Sequence, residues 1–467
     1  MCGIIASLDH DIEHGLPTLQ HRGPDATGSI RKGRVSLGAT RLSIVDPHPR
    51  ANQPFAYGPI TLALNGEIWN YRSLRQQLTQ DGHQFDTDSD VEVLAALLQQ
   101  NSMGAFNRVE GMFAAVWLDE RQPDCILLAR DRFGEIPLHV TPAPPYVVVS
   151  ELKALLALNR PAYNAEMLPP GHLGILCEDG LTLQPYYDTP LKPIESRIAE
   201  AAPMLHRLVH QAVDERLTGD VSICTLLSGG IDSACIALFL RQHNPDLVAY
   251  TAVYDPASAD LAAARLLASE LEIDLREVSI PAPSLADMRR VVWQIEMTHK
   301  AQVEIAWPCL VLAERMAADG FRVVFSGEGS DELWASYGFA DEALQTADWH
   351  AYRKALLLAQ GHKNFARANK VFMAHSIEAR LPFLHRPLVE FALSLPRDAV
   401  QKPPKEWKAV LQEAFRGHLP DAIVERPKLA FQNGLGIKQA IKAAVGSPRK
   451  AYHAAYIDFF GSSKPSR

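Results

Sequence analysis

The sequence predicts an α/β protein in two parts: an N-terminal half built on antiparallel sheets and a C-terminal half built on a doubly wound parallel sheet. Three observations carry that prediction. The chain has 467 residues, more than one hydrophobic core usually holds. Up to about residue 150, short apolar strands alternate with turns, and two clear helices interrupt them, over Tyr71 to Gln80 and Asp90 to Gln100, which is a pattern of antiparallel pairing. From Val221 onward strand and helix alternate, as in a parallel sheet covered on both faces.

Composition narrows the function classes. Apolar residues make up 47% and charged residues 21% of the chain, the balance of a globular protein. A net charge of -8 offers no basic field, so nucleic acid is not an expected partner. No apolar run approaches the roughly 18 residues of a membrane span. The opening MCGIIASLDHD lacks the basic stretch of a signal peptide, so no membrane partner and a cytoplasmic location are expected. Cys2, Cys125, Cys177, Cys224, Cys235 and Cys309 form no CxxC pair or metal spacing, and no disulfide is expected.

Cys2 follows Met1 directly. If Met1 is removed, thiol and α-amine share one residue, and an amine of pKa about 8 beside a thiol of about 8.5 serves as its own general base. A frayed terminus is the plain alternative, but Gly3 to Leu8 is apolar and strand-like, which ties the terminus into a sheet. Four spaced segments follow: His21 to Asp25 (HRGPD), Arg41 to Asp46 (RLSIVD), Asn65 to Ile68 (NGEI) and Ser89 to Glu92 (SDVE). Singly each has an ordinary reading: Asn65-Gly66 as a hairpin turn, Arg41 as a surface ion pair, Asp90 as a helix N-cap. In this order they resemble the class II glutamine amidotransferase domain, whose fold is the α+β antiparallel sandwich of the N-terminal-nucleophile hydrolases. That resemblance implies that Cys2 attacks the glutamine amide and that Asn65 and the Gly66 N–H form the oxyanion hole. It also implies a glutamine pocket of Arg41, Ile44, Val45, Asn65, Gly66, Glu67 and Asp90, with Arg41 on the α-carboxylate and Asp90 on the α-ammonium. Ala129 to Gly134 matches a further family segment, except that Glu135 stands where a basic or small residue is usual; no consequence is assigned to it. The proline-marked stretch Thr189 to Pro193 reads as a linker, giving domains of residues 2–190 and 191–467.

Glu195 to Leu217 has helical periodicity and leads into VSICTLLSGGIDSACIALFLRQH, Val221 to His243. An apolar strand passes through Ser228-Gly229-Gly230-Ile231-Asp232-Ser233 into a helix. Glycines let the backbone approach a phosphate, serines add donors, and the helix N-terminus adds its dipole. A Gly-Gly turn between strand and helix is the plain alternative. No lysine follows the glycines as a Walker loop requires, and Asp232 stands where a phosphate-bridging Mg²⁺ wants a carboxylate. Two more strands, Leu247 to Tyr254 and Leu275 to Ile280, flank a helix over Asp260 to Glu270. Phe321 to Glu332 (FRVVFSGEGSDE) then places a second acid-rich glycine loop after a buried strand.

The first loop resembles the pyrophosphate loop of ATP pyrophosphatases of the adenine nucleotide α-hydrolase-like fold. The resemblance implies that ATP is held by Leu226, Ser228, Gly229, Gly230, Asp232, Ser233, Ala252, Ser326, Gly327 and Glu328, with Val253 departing from the usual glycine. Mg²⁺ is then held by Asp232 and Asp331. Related enzymes that close a β-lactam ring carry tyrosine where Glu328 stands, so Glu328 speaks for intermolecular amide formation. Ala366 to Lys370, Ser376 to Leu384 and Arg426 to Gly434 complete a resemblance to the asparagine synthetase B family over nearly the whole chain. By it, Lys428 stabilises the pentavalent phosphorus, and Glu378 and Arg380 border the acceptor, a buried ion pair being the alternative for those two.

The implied cycle releases ammonia from glutamine at Cys2, forms an acyl-adenylate and pyrophosphate from a carboxylate and Mg·ATP, and displaces AMP with ammonia that crosses the domain interface. Aspartate is the expected carboxylate. Trp334-Ala335-Ser336-Tyr337 in place of aromatic-Gly-Gly-Tyr, His385 in place of aspartate and a C-terminus shorter by some tens of residues keep a specialised-metabolite acid open as acceptor. A non-catalytic glutamine sensor on this fold is the other alternative. The sequence does not set the oligomeric state, and a homodimer stands open.

Overall fold

The structure, a computed structural model, describes residues 1–337, 340–343, 347–402, 407–427 and 434–461. Its first half is two six-stranded antiparallel sheets. One is centred on β1 (Cys2–Leu8), which pairs with β3 (Val35–Arg41), itself paired with β2 (Ala26–Lys32). All seven residues of β1 and of β3 are buried, because this sheet is covered on both faces. The other sheet runs through β4 (Ile60–Ile68), β5 (Gly111–Asp119), β6 (Ile126–Arg130) and β7 (His172–Cys177). The sheets stack with β1 over β4, and Ile4, Ala63, Ala114 and Val116, on the face that carries Asn65 toward Cys2, fill the space between. Helices α1 (Tyr71–Gln80) and α2 (Asp90–Asn101) cover the outer face of the second sheet.

Cys125 and Cys177 are disulfide-bonded, their Cα atoms 4.5 Å apart, which corrects the expectation of no disulfide. β6 and β7 pair with Ile126 opposite Leu176, so the two cysteines occupy the next rung, a neighbourhood that a sequence separation of 52 conceals from sequence spacing. Denatured, non-reduced protein is expected to titrate four thiols, not six. Reduction is expected to lower stability by about 2–4 kcal/mol, read from urea midpoints with and without dithiothreitol.

Irregular chain over 188–197 leads to α3 (Ile198–Asp214). A parallel sheet follows, made of β8 (Ile223–Leu226), β9 (Val248–Val253), β10 (Asp274–Ser279), β11 (Val323–Phe325) and β12 (Glu378–Arg380), in the spatial order β10-β9-β8-β11-β12. Its helices include α4 (Ile231–His243), α5 (Ala259–Glu270), α6 (Leu285–Ile295), α7 (Lys300–Ala318), α8 (Asn364–Met373) and α9 (Ala409–Phe415). Strand residues alternate between two cores: Ala249, Val323 and Phe325 pack with Ile236 and Phe239 of α4, while Val248, Tyr250 and Val324 pack with Met288 of α6 and Leu310 of α7. That period of two is the sequence cause of the double winding. The strand order reverses between β8 and β11, so the loops after these two strands flank the switch point where such sheets hold ligands. Among the described residues no helix is long and apolar enough to cross a membrane.

Candidate active sites

Cys2 opens β1 in register with Arg41 of β3 and is buried behind Met1. Its N–H donates to Asn65 Oδ1 at 2.9 Å. Gln53 Nε2 points at the Cys2 sulfur from 3.3 Å, and Gln53 Oε1 accepts from the Leu64 N–H at 2.6 Å. Asn65 and Gly66 are neighbours on β4. Gly66 has φ +139°, and a Cβ there would lie 2.0 Å from Met112 O, so no other residue fits. Burial pushes the Cys2 thiol up, and the chain-terminal ammonium, a Leu42 hydrogen bond and Arg41 pull it partly back.

The predicted glutamine-binding residues surround this thiol. The Arg41 guanidinium forks over the loop after its strand, donating to His48 O, Asn52 Oδ1, Val45 O and Asp46 O at 2.6–3.2 Å. That fork holds the buried Ile44 and Val45 in place. Asp90 lies in the first turn of α2 and accepts from the Ile68 N–H at 2.9 Å. The cap is Ser89, whose Oγ accepts from the Glu92 N–H, so the N-cap role belongs to the preceding residue. Burial raises Asp90 to about 6, against the pull of the Ile68 N–H and the terminal ammonium. Burial, with Glu378 and Asp90 nearby, holds Glu67 well above the ordinary carboxyl range. The Met1 ammonium sits among these acids, 3.7 Å from Glu67 Oε1 and 3.2 Å from Glu378 Oε2.

Glu378 and Arg380 of β12 are fully buried and pair at 2.7 Å. Arg380 also donates to Arg216 O and Thr218 O. Both residues lie on the seam between the halves: Glu378 meets the Met1 ammonium and the Arg380 guanidinium lies 5.1 Å over the Trp69 ring. Arg22 crosses the same seam: Nε donates to Cys2 O at 3.0 Å, Nη1 to Glu151 at 2.6 Å and Nη2 to Asn369 Oδ1 of α8 at 2.9 Å. Burial raises Glu151, yet Lys153, His21 and Arg22 outweigh it and leave the carboxyl well below its usual range. Glu135 is buried nearby, with no hydrogen-bond partner for Oε2 among the described residues. Burial, Asp131 and Glu378 hold it well above the carboxylate range, against Arg216.

At the switch point the loop 227–230 ends at the N-terminus of α4. Ser233 Oγ ties it together, donating to Gly230 O at 3.0 Å and accepting from the Ser228 N–H at 3.2 Å. Gly229 has φ +73°, and a Cβ there would stand 2.7 Å from Ala263 Cβ and Asp260 O, so the loop lies directly on α5. Arg426, beyond the motif's other positions, donates to Gly229 O at 3.1 Å. Leu226 and Ala252 lie half-buried at the ends of β8 and β9. The second loop abuts the first: a Cβ on Gly327 would be 2.9 Å from Asp232 Cβ. Ser326 is anchored by its N–H on Arg380 O. Arg367 of α8 holds Glu328 Oε1 and donates its other arm to Gln302 at 2.9 Å.

Asp232 and Asp331 converge on Lys408 Nζ, at 2.6–2.7 Å and 2.6 Å. Burial lowers Lys408 and the two aspartates outweigh it, leaving the ammonium above its ordinary value. Two carboxylates from two loops thus share one cation, a hard-oxygen donor pair suited to Mg²⁺. Lys408 has no sequence signal, because nothing but a lysine before the helix VLQEAF marks it. Gln53 carries none either. The departures at Trp334 and Ser336 orient this acid pair: Trp334 Nε1 donates to Ser330 Oγ, which donates to Asp232 at 2.7 Å, and Ser336 Oγ donates to Asp331 at 2.6 Å. His385 faces Glu215 at 3.0 Å. Lys428 lies outside the described residues.

Glu332 is buried beside Asp331 and accepts from Tyr337 OH and Asn364 Nδ2 at 2.6 and 2.7 Å. Burial, then Asp331, raises it from 4.5 to about 7. An acid raised in the folded state favours folding fully below the unfolded value and loses that contribution as pH rises to the folded value. Between pH 4.5 and 7 the wild type is expected to lose about 3 kcal/mol through this group, since each tenfold difference in proton affinity between folded and unfolded chain is worth about 1.4 kcal/mol. Urea midpoints against pH should be correspondingly flatter in Glu332→Gln.

Residues 1–170 match the family described as Glutamine amidotransferase domain, and residues 204–364 and 345–447 match the family described as Asparagine synthase. The asparagine synthetase B [glutamine-hydrolyzing] of Escherichia coli (strain K12) is 31% identical over 441 residues, covering 90% of this chain and 78% of its own length. The asparagine synthetase [glutamine-hydrolyzing] of Triphysaria versicolor is 30% identical over 473 residues, covering 93% and 78%. Asparagine synthetase [glutamine-hydrolyzing] 2 of Arabidopsis thaliana is 31% identical over 476 residues, covering 93% and 79%.

Proposed function

The chain belongs to the glutamine-dependent asparagine synthetase family, and from that membership we propose that it amidates aspartate to asparagine, with residues 2–190 as glutaminase and 191–467 as amide ligase. Glutamine-dependent, ATP-driven amide ligation is the family's chemistry and this chain's. The observation that supports the reading is the joining of two sites in one fold. Arg22 links Cys2 O to Asn369 on the helix whose Arg367 holds Glu328.

Loss of Met1 leaves the α-amine on Cys2, at the nitrogen that already lies 2.9 Å from Asn65 Oδ1. The amine takes the thiol proton, and the sulfur attacks the glutamine amide carbon. Negative charge on the amide oxygen is met by the Asn65 side-chain amide and the Gly66 N–H, donors worth a few kcal/mol each when pre-organised. Ammonia leaves with the relayed proton, and water hydrolyses the thioester to glutamate. Glu67 and Asp90 receive the glutamine α-ammonium, and the seating of a primary ammonium beside Glu67 and Glu378 in this fold supports an acid-lined pocket of that kind.

In the other half, the aspartate side-chain carboxylate attacks the α-phosphorus of ATP and pyrophosphate leaves from the Ser228–Ser233 loop. Asp232 and Asp331 would hold Mg²⁺, which would neutralise charge on the phosphates. Ammonia crosses the buried seam, attacks the acyl carbon and expels AMP, and Glu328, fixed by Arg367, takes the nitrogen's proton. Of the substitutions that keep another acceptor open, Trp334 supports the Asp232 carboxylate through Ser330 and His385 pairs with Glu215, partners that leave aspartate as the expected acceptor. The test is mass spectrometry after incubation with amide-labelled glutamine, Mg·ATP and aspartate. Labelled asparagine equimolar with AMP is expected; labelled ammonia without asparagine would refute aspartate as the acceptor.

A further inference from the structure

We propose that His210, Asp214 and His243 form a binding site for one divalent transition ion of the zinc class, on the outside of the nucleotide-binding half and apart from both candidate active sites. His210 and Asp214 are four residues apart on α3 and so share a helix face. His243 is the last residue of α4, which packs beside α3. Asp214 Oδ1 lies 2.6 Å from His243 Nε2 and 3.4 Å from His210 Nε2, and all three ligand atoms fall within 4.8 Å of one another. Metal bonds of about 2.0–2.1 Å in tetrahedral array separate ligand atoms by roughly 3.3 Å. The two shorter edges bracket that spacing, so rotamer-scale adjustment closes the triad around an ion.

Two further features support the assignment. The His210 ring is stacked on Phe239, 4.6 Å between centroids at 21°, one turn before His243 on α4, so its plane is fixed before any ion arrives. Asp214 is the last residue of α3, where the helix dipole disfavours a carboxylate. Its ion pairs among the described residues are with these two imidazoles, with no lysine or arginine. Two imidazoles and a carboxylate, partly open to water for a fourth ligand, select zinc-class ions over Mg²⁺ or Ca²⁺. Bound there, an ion clamps the end of α4 to α3. The opposite end of α4, 13 residues or about 20 Å away, carries the phosphate loop, so the clamp stabilises the platform under that loop without touching substrate.

The test is zinc titration of the full-length chain, stripped with chelator and kept in Mg²⁺, by calorimetry and thermal melting. One equivalent of zinc bound with a raised melting temperature is expected. In H243Q and in D214N, both at partly exposed positions, the same equivalent is expected to weaken at least 30-fold and the melting shift to vanish, while the metal-free melting temperature stays near wild type. Cobalt should give tetrahedral visible bands in the wild type that H243Q lacks. Absence of zinc binding, or zinc bound equally well by both variants, overturns the proposal.

Discussion

Replacing Cys2 with alanine abolishes glutamine-driven amide formation, by roughly 10⁴-fold or more as for other lost nucleophiles, and leaves ammonia-driven formation near the wild-type rate. The side chain is small and its loss removes one buried sulfur, so the sandwich around β1 keeps its packing. No neighbour replaces it. Gln53 contributes an amide at 3.3 Å, and the Ser150 hydroxyl already accepts from the Ile4 N–H at 2.9 Å; neither has a base beside it. The backbone of residue 2 meets Arg22, which crosses the seam, at its carbonyl and Asn65 at its nitrogen, and alanine preserves both. The measurement pairs amide-labelled glutamine with labelled ammonium as alternative nitrogen sources. Glutamine-driven product persisting in the variant would remove Cys2 from the mechanism, and loss of both activities would mean that the thiol supports the fold of the ligase half.

What could be read from the sequence was local. The Cys2 strand, the Asn65-Gly66 pair, the Ser228–Ser233 loop and the second acidic loop each declare themselves within about ten residues, because strand-turn-helix transitions impose glycines and period-two apolar runs that a linear reading sees. The alternation of Val323, Val324 and Phe325 between two cores is the same signal at the level of the sheet. Contacts made by long loops gave no such sign. Lys408 reaches Asp232 across 176 positions, and Gln53 reaches Cys2 from a loop whose residues show no periodicity. The Cys125–Cys177 rung depends on the register of β6 and β7, which no spacing rule encodes. The confusion of Asp90 with Ser89 at the start of α2 has a different source: both residue types cap helices, and only the β-region backbone at Ser89 decides between them. Trp334 and Ser336 were legible as departures but not in effect, since their partners Ser330 and Asp331 meet them only once the turn after β11 is folded.

Lys408→Gln lowers AMP and pyrophosphate formation by about 10²–10³-fold, the scale of removing a pre-organised charge from a partly dry site, while glutamine hydrolysis at Cys2 continues. The lysine head group is buried and contacts both Asp232 and Asp331, which come from separate loops, so the loops are held together by one ammonium. Its removal leaves two close carboxylates facing each other. Breaking a buried pair costs about 3–5 kcal/mol when the partner stays buried, but these acids are a quarter or more exposed at 25% and 28%, and water and Mg²⁺ relieve part of that cost. The loss therefore falls on catalysis more than on folding, and the glutaminase rate in the same sample reports the folded fraction. Lys408→Arg keeps the charge but cannot place one nitrogen against both carboxylates with the same reach, so it should recover only part of the rate. A shift to higher Mg²⁺ requirement in Lys408→Gln, with unchanged maximal rate, would limit the lysine to spacing the two aspartates and overturn its part in adenylate formation.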